Sequence, residues 1–167
     1  MTSRIGNIVL EEGALPEEYF RCILASLQDE AFLRLDGSWK LVRVFEENWK
    51  ELSELQRAAL LPVLEASYGS FHDWIACFVI SGILGELYRD ERAFGAPCRL
   101  RNCRKEMPRS FVPHGFEHMA GDPTNEGLAQ RALEELTKME RDESEMVRGE
   151  VRESLSRLRR RESKRRL

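Results

Sequence analysis

No run of residues in this 167-residue chain approaches the ~18 apolar positions that a membrane-spanning helix requires. The longest apolar stretch, "WIACFVISGIL" (74–84), has eleven residues between Asp73 and Glu86, which suits a buried helix. The opening "MTSRIGNIVLEEG" lacks the basic segment and long apolar core of a secretory leader. Four scattered cysteines are too few for a disulfide framework in a chain of this size, so the expected setting is a reducing cytoplasm. There is no Gly-rich phosphate loop, no nucleophile elbow and no H-E-x-x-H zinc motif. The strict alternation of exposed-face β-strands is also missing. These absences point away from an enzyme and imply neither catalytic residues nor a cofactor.

What is present is a chain long enough to bury a core, expected to form one helical domain over residues 1–160. It is 42% hydrophobic and 33% charged, with both signs interspersed, as a water-exposed globular surface requires. The net charge of −3 conceals an asymmetry. "RLRRRESKRRL" (157–167) carries seven Lys/Arg against one Glu, or +6, leaving −9 on the remainder. A basic tail (161–167) on an acidic body is compatible with nucleic-acid contact. It also fits a solvated helix end whose cations complement the negative pole of the helix. The tail has no aromatic side chain on which a base could stack, which favours the second reading.

Helical spacing runs through most of the chain. Phe20, Ile23, Leu24, Leu27 and Ala31 form one stripe behind Pro16, in a helix expected to end near Leu35. Leu41, Phe45 and Trp49 share a helical face, although "WKLVRVF" (39–45) is rich enough in β-formers to be read as a strand. Ser53 with Gln56 makes a capping box for a helix with Leu60, Leu64 and Tyr68 on one side and Pro62 inside it. The helix expected over 71–88 places Trp74, Phe78 and Leu87 on one stripe, with Ile75, Val79 and Ile83 alongside, and is apolar nearly all round. Gly95, Pro97, Pro108 and Pro113 cut residues 90–121 into short pieces. Asp122-Pro123 reads as a helix start, as does Asp142 with Glu145. Seven or eight helices result: an all-α fold of antiparallel pairs.

Two stretches resemble HEAT repeats, the helix pairs that stack into α-solenoids. "LLPVLEA" (60–66) carries Pro62 where the first helix of such a pair often kinks, and the apolar helix 71–88 follows it. "GDPTNEGLAQRALEEL" (121–136) presents Ala129, Ala132 and Leu133 like the small-residue face of a second helix, and "DESEMVRGEVRESLSRL" (142–158) has a similar rhythm. The resemblance covers roughly residues 53–160. It implies a short solenoid or irregular bundle with a surface for a protein partner, and no catalytic residues.

The one metal-like pattern is Cys98, Cys103, His114 and His118, spaced C-x4-C-x10-H-x3-H. Histidines at i and i+4 on a helix can give zinc two of its four ligands. The ten-residue gap is shorter than a finger's, and a chain of this length does not need zinc to fold, so the expected state is metal-free. Adjacent His72 and Asp73 suggest a solvated flank and a cap. The expected function is a non-enzymatic protein-binding module. One form is an inhibitor of the immunity or antitoxin type that covers a basic partner with an acidic face. The alternatives are a nucleic-acid-associated protein using the tail with Arg99, Arg101, Arg104, Lys105 and Arg109, or a zinc protein built on residues 98–118. An exposed tryptophan would mark an interface anchor.

Overall fold

A computed structural model describes residues 15–88 and 90–165. The opening segment discussed above, Arg89, the last two residues of the basic tail and the side chains of Glu162 and Arg165 lie outside the described residues. Among the described residues the protein is all-α, with eight helices of at least seven residues and no strand. Among the described residues no helix is long and apolar enough to cross a membrane. Contacts divide the chain after Ala76 into two compact units.

The first unit is built on α1 (Glu17–Gln28) and α4 (Glu54–Ser67), which pack together. Phe20, Ile23 and Leu27 are buried as the stripe predicts, but Ala31 is exposed. The reason is Asp29, which ends α1 and then accepts a hydrogen bond from the Ala31 N–H at 2.9 Å. That cap opens the short α2 (Glu30–Leu33) in a new register, and Leu33 takes the buried place. The segment at 39–45 is helical, inside α3 (Trp39–Glu47). Leu41, Phe45 and Trp49 are all buried, with Phe45 edge-on to Phe20 at 5.8 Å. The capping box forms in full: Ser53 Oγ accepts from the Gln56 N–H and Gln56 Oε1 accepts from the Ser53 N–H. Such a cap is worth about 1 kcal/mol. Gln56 also donates to the Leu15 carbonyl at 3.2 Å, tying the start of α1 to α4.

The second unit is arranged around α8 (Val112–Ala120). It packs against α9 (Glu126–Lys138), against α10 (Glu145–Arg165) and against the π-helical turns Ile83–Tyr88 that extend α5 (Ile75–Gly82). α6 (Glu91–Leu100) and α7 (Glu106–Ser110) complete the unit. Gly85 and Gly115 make the closest crossing possible. A Cβ built on Gly85 would stand 2.3 Å from the Gly115 carbonyl oxygen, so the two backbones touch directly. Ile80, Ile83, Leu84, Phe116, Met119 and Leu136 fill the core. Val147, Val151, Leu155 and Leu158 are the buried stripe of α10, as their spacing predicts.

Three expected helix starts move. α5 opens at Ile75 rather than 71, with Asp73 accepting from the Ile75 N–H at 3.2 Å. Asp122 does not cap α9. Its carboxylate closes on Thr124 instead, and Asn125 Oδ1 accepts from the Leu128 N–H at 3.1 Å. At α10 the cap is Ser144, because the Asp142 carboxylate is engaged by Arg109.

Candidate protein-binding surface

The later start of α5 changes what its aromatic residues do. Trp74 stands ahead of the helix and is 52% exposed, whereas Trp49 is buried and Trp39 half-buried. The His72 N–H donates to the Leu33 carbonyl at 3.0 Å, fastening the 72–74 segment beside the end of α2. Leu35, two residues after Leu33, is 54% exposed. Leu33 and Ser70 also line a groove of about 500 Å³ between α1 and α4, together with Leu24, Leu27, Pro62 and Val63. Pro62 contributes twice: it removes one helical hydrogen bond from α4, and its ring forms part of the groove wall. The first unit thus combines an apolar groove with an exposed tryptophan four residues beyond Ser70 of its lining. His72 is exposed and Asp73 is a cap.

In the second unit a cavity of about 310 Å³ is lined by Phe78, Phe111, His114, His118, Glu117 and residues of α10 that include Arg157 and Arg161. Phe78 is the other aromatic expected in the core, and it is 43% exposed. Its ring stacks on His114 at 4.4 Å and meets Phe111 edge-on at 6.3 Å. Burial, reinforced by His118, Arg157 and Arg161, pulls the His114 imidazole down to about 4, so that it is neutral near pH 7. His118 lies edge-on to it at 4.6 Å, with Nδ1 3.6 Å from the Glu86 carboxylate. Glu117 is 1% exposed and is held by Arg157 at 2.8 Å and Arg161 at 3.2 Å. A carboxylate this deep needs such partners, since an unpaired buried charge costs several kcal/mol.

The metal-like pattern does not assemble. Among the described residues no three His, Cys, Asp or Glu side chains converge as a metal ion would need. Cys98 sits half-buried on α6, its thiol pushed up by burial and by Glu135. Cys103 lies in the turn after α6, its N–H donating to the Leu100 carbonyl. α7 separates these two from His114 and His118, which face Phe78 and Glu86. Cys77 is buried, and its thiol is pushed up to about 12, mainly by desolvation, which leaves it unreactive near neutrality. Cys22, on α1, is exposed.

The basic stretch 99–109 is partly consumed internally. Arg109 is buried and grips both oxygens of Asp142 at 3.0 Å while donating to the Cys103 carbonyl at 2.7 Å. Arg101 pairs with Glu135. At the C-terminus, α10 continues to Arg165, and Arg161 belongs to the Glu117 network. Periodicity alone did not mark the α1–α4 groove. Its sequence signal was Pro62 on an exposed face of an otherwise well-capped helix.

No protein-family model matches the chain, and neither a characterised protein nor a solved structure matches it. The fold class, all-α with packed helices, therefore stands on the structure itself.

Proposed function

We propose that the chain is a non-enzymatic protein-binding module whose partner occupies the α1–α4 groove and closes over Trp74. The observations that carry this reading are an apolar groove in the first unit and a tryptophan, more than half exposed, in the short segment that follows Ser70 of its lining. Tryptophan leads the side chains that anchor interfaces, and helix-lined grooves accept the apolar face of a partner helix. Charge adds a direction. Residues 1–76 contain seven Lys/Arg and thirteen Asp/Glu, a balance of −6, whereas the remaining residues carry +3. A basic partner surface suits the first unit, the arrangement used by inhibitors of the immunity or antitoxin type. The HEAT-like resemblance supports the same kind of role, helix pairs displaying a surface to a protein.

The test is affinity capture from native extract with three baits: the unaltered chain, Trp74→Ala and Ala66→Arg. Ala66 is exposed and lines the groove, so its arginine obstructs docking without entering the core. The expected result is a co-purifying protein that resists nuclease and is lost with both variants. Capture unchanged in both variants would refute the groove. A nuclease-sensitive partner would move the protein to the nucleic-acid class.

A further inference from the structure

The second unit presents a surface of the opposite charge. α10 runs without interruption to Arg165, so Arg157, Arg160, Arg161 and Lys164, at i, i+3, i+4 and i+7, fall on one face of it. Arg157 and Arg161 form one wall of the 310 Å³ cavity and hold the buried Glu117. Arg160 and Lys164 are exposed, and among the described residues neither forms an ion pair. Glu117 is thus already neutralised by two arginines, and the exposed Glu150 is the other carboxylate of the lining, set two turns back from Arg157, while Arg160 and Lys164 at the far end of α10 are exposed. Against this basic edge stands an aromatic wall: exposed Phe78, Phe111, and a His114 ring that desolvation keeps neutral.

We infer that this cavity and the basic edge of α10 form a second docking surface, for an acidic protein segment that carries one bulky aromatic residue. The aromatic residue would enter the cavity against Phe78 and His114, where ring-on-ring contact adds to burial. Carboxylates on the same segment would reach Arg160 and Lys164, giving orientation and a faster encounter rather than most of the affinity. Single-stranded nucleic acid could also set a base on Phe78 and phosphates on the arginines. The protein segment is favoured because the cavity is concave and sized for one side chain. A stacking platform for successive bases needs a row of exposed rings, and Phe78 is the sole ring of this wall among the large exposed hydrophobics.

The inference concerns a different unit from the α1–α4 groove, and the two are tested separately. A fluorescently labelled helical peptide rich in Glu and Asp with one central Trp is titrated with the full chain, and anisotropy is read. The comparison probes are the same peptide with Trp→Ala and a labelled oligothymidine. The expected result is saturable binding that weakens with salt. It should weaken by about tenfold or more with the Trp→Ala peptide, the scale of removing an interface anchor. Phe78→Ala, and Arg160→Glu combined with Lys164→Glu, should weaken it comparably. Unchanged far-ultraviolet spectra should accompany the loss in both variants, and melting should be nearly unchanged in the Arg160/Lys164 variant, whose side chains are exposed. Trp74→Ala should leave the peptide affinity unchanged, which separates this surface from the groove. Absence of peptide binding, binding indifferent to the central Trp or to Phe78, or tighter binding of oligothymidine through the same side chains would each overturn the inference.

Discussion

Replacing Gly85 with alanine puts the packing of the second unit to its most direct test. In an ordinary helix interior this change gains about 1 kcal/mol, because alanine restricts the unfolded chain and suits the helix. Gly85 is not in an ordinary place. The added methyl would stand 2.3 Å from the Gly115 carbonyl oxygen and 2.8 Å from its Cα, while ordinary contact begins near 3.4 Å. The obstacle is backbone, so no rotamer change relieves it, and the crossing must open by roughly 1 Å in a close-packed interior. Forced overpacking of this kind costs about 1–3 kcal/mol, and backbone against backbone belongs at the upper end. Subtracting the propensity gain leaves a net loss of about 2 kcal/mol. For a chain of this length that lowers the melting temperature by about 4–8 °C. Gly149→Ala is the internal control, since it lies within α10 and its Cβ would meet only the end of Arg152 at 3.9 Å. It should raise stability by up to about 1 kcal/mol. Thermal melts followed at 222 nm read both. A Gly85→Ala protein as stable as the unaltered chain would refute the direct backbone crossing.

His114 makes stability depend on pH with a defined sign. Its folded value of about 4 lies below the ordinary 6.5, so the unfolded chain binds the extra proton first. The contribution of a neutral His114 to stability is complete above about pH 6.5, declines as pH falls and is fully lost below about 4. Between pH 6.5 and 5 the decline should be about 2 kcal/mol, at 1.4 kcal/mol per unit. His118, Glu86, Glu117, Arg157 and Arg161 share this neighbourhood, so the decisive quantity is the difference from His114→Phe, which should lack that part of the slope in urea denaturation at the two pH values. An identical slope in the variant would remove His114 as its source. At the C-terminus, deleting 162–167 should cost no more than about 1 kcal/mol, the scale of exposed charges and helix-end effects. Deleting 161–167 should cost about a further 1 kcal/mol, because Glu117 loses one of its two partners; Arg161 is itself half-exposed, which keeps the figure below that of a fully buried pair. Equal melting of the two truncations would show that Arg157 alone satisfies Glu117.

The sequence disclosed elements more readily than faces. α4 was legible in detail because its signals are local: Ser53 and Gln56 cap each other, and Leu60, Leu64 and Tyr68 recur on one side. The helix from 75 was legible as a core element, but not which of its sides meets solvent. A segment apolar nearly all round has no polar face to orient it, so Trp74 and Phe78 looked as buried as Val79 and Ile83. Asp73 as a cap leaves Trp74 outside the helix, whereas no local signal sets Phe78, inside α5, apart from its buried neighbours. Asp122 and Asp142 show the complementary failure. Each has the residue type of a helix cap, yet Asp122 closes a turn on Thr124 and Asp142 is claimed by Arg109 from thirty-three residues away.

The candidate site was hardest to read for the same physical reason. His114 and His118 were conspicuous by spacing, and spacing suggested a metal. The partners that decide their chemistry come from other helices: Phe78 from α5, Glu86 from its π-helical extension, and Arg157 and Arg161 from α10. Two arginines near an imidazole oppose a metal cation as well as a proton, and the same two arginines hold Glu117 in the core. The tail therefore has two parts that composition cannot distinguish. Arg157 and Arg161 reach Glu117 of α8 and serve the fold, whereas Arg160 and Lys164, on the same face of α10, are exposed. A seven-cation run counted as a single +6 block overstates what a partner can reach. The exposed remainder, set beside an exposed phenylalanine, is what gives this end of the molecule a shape as well as a charge.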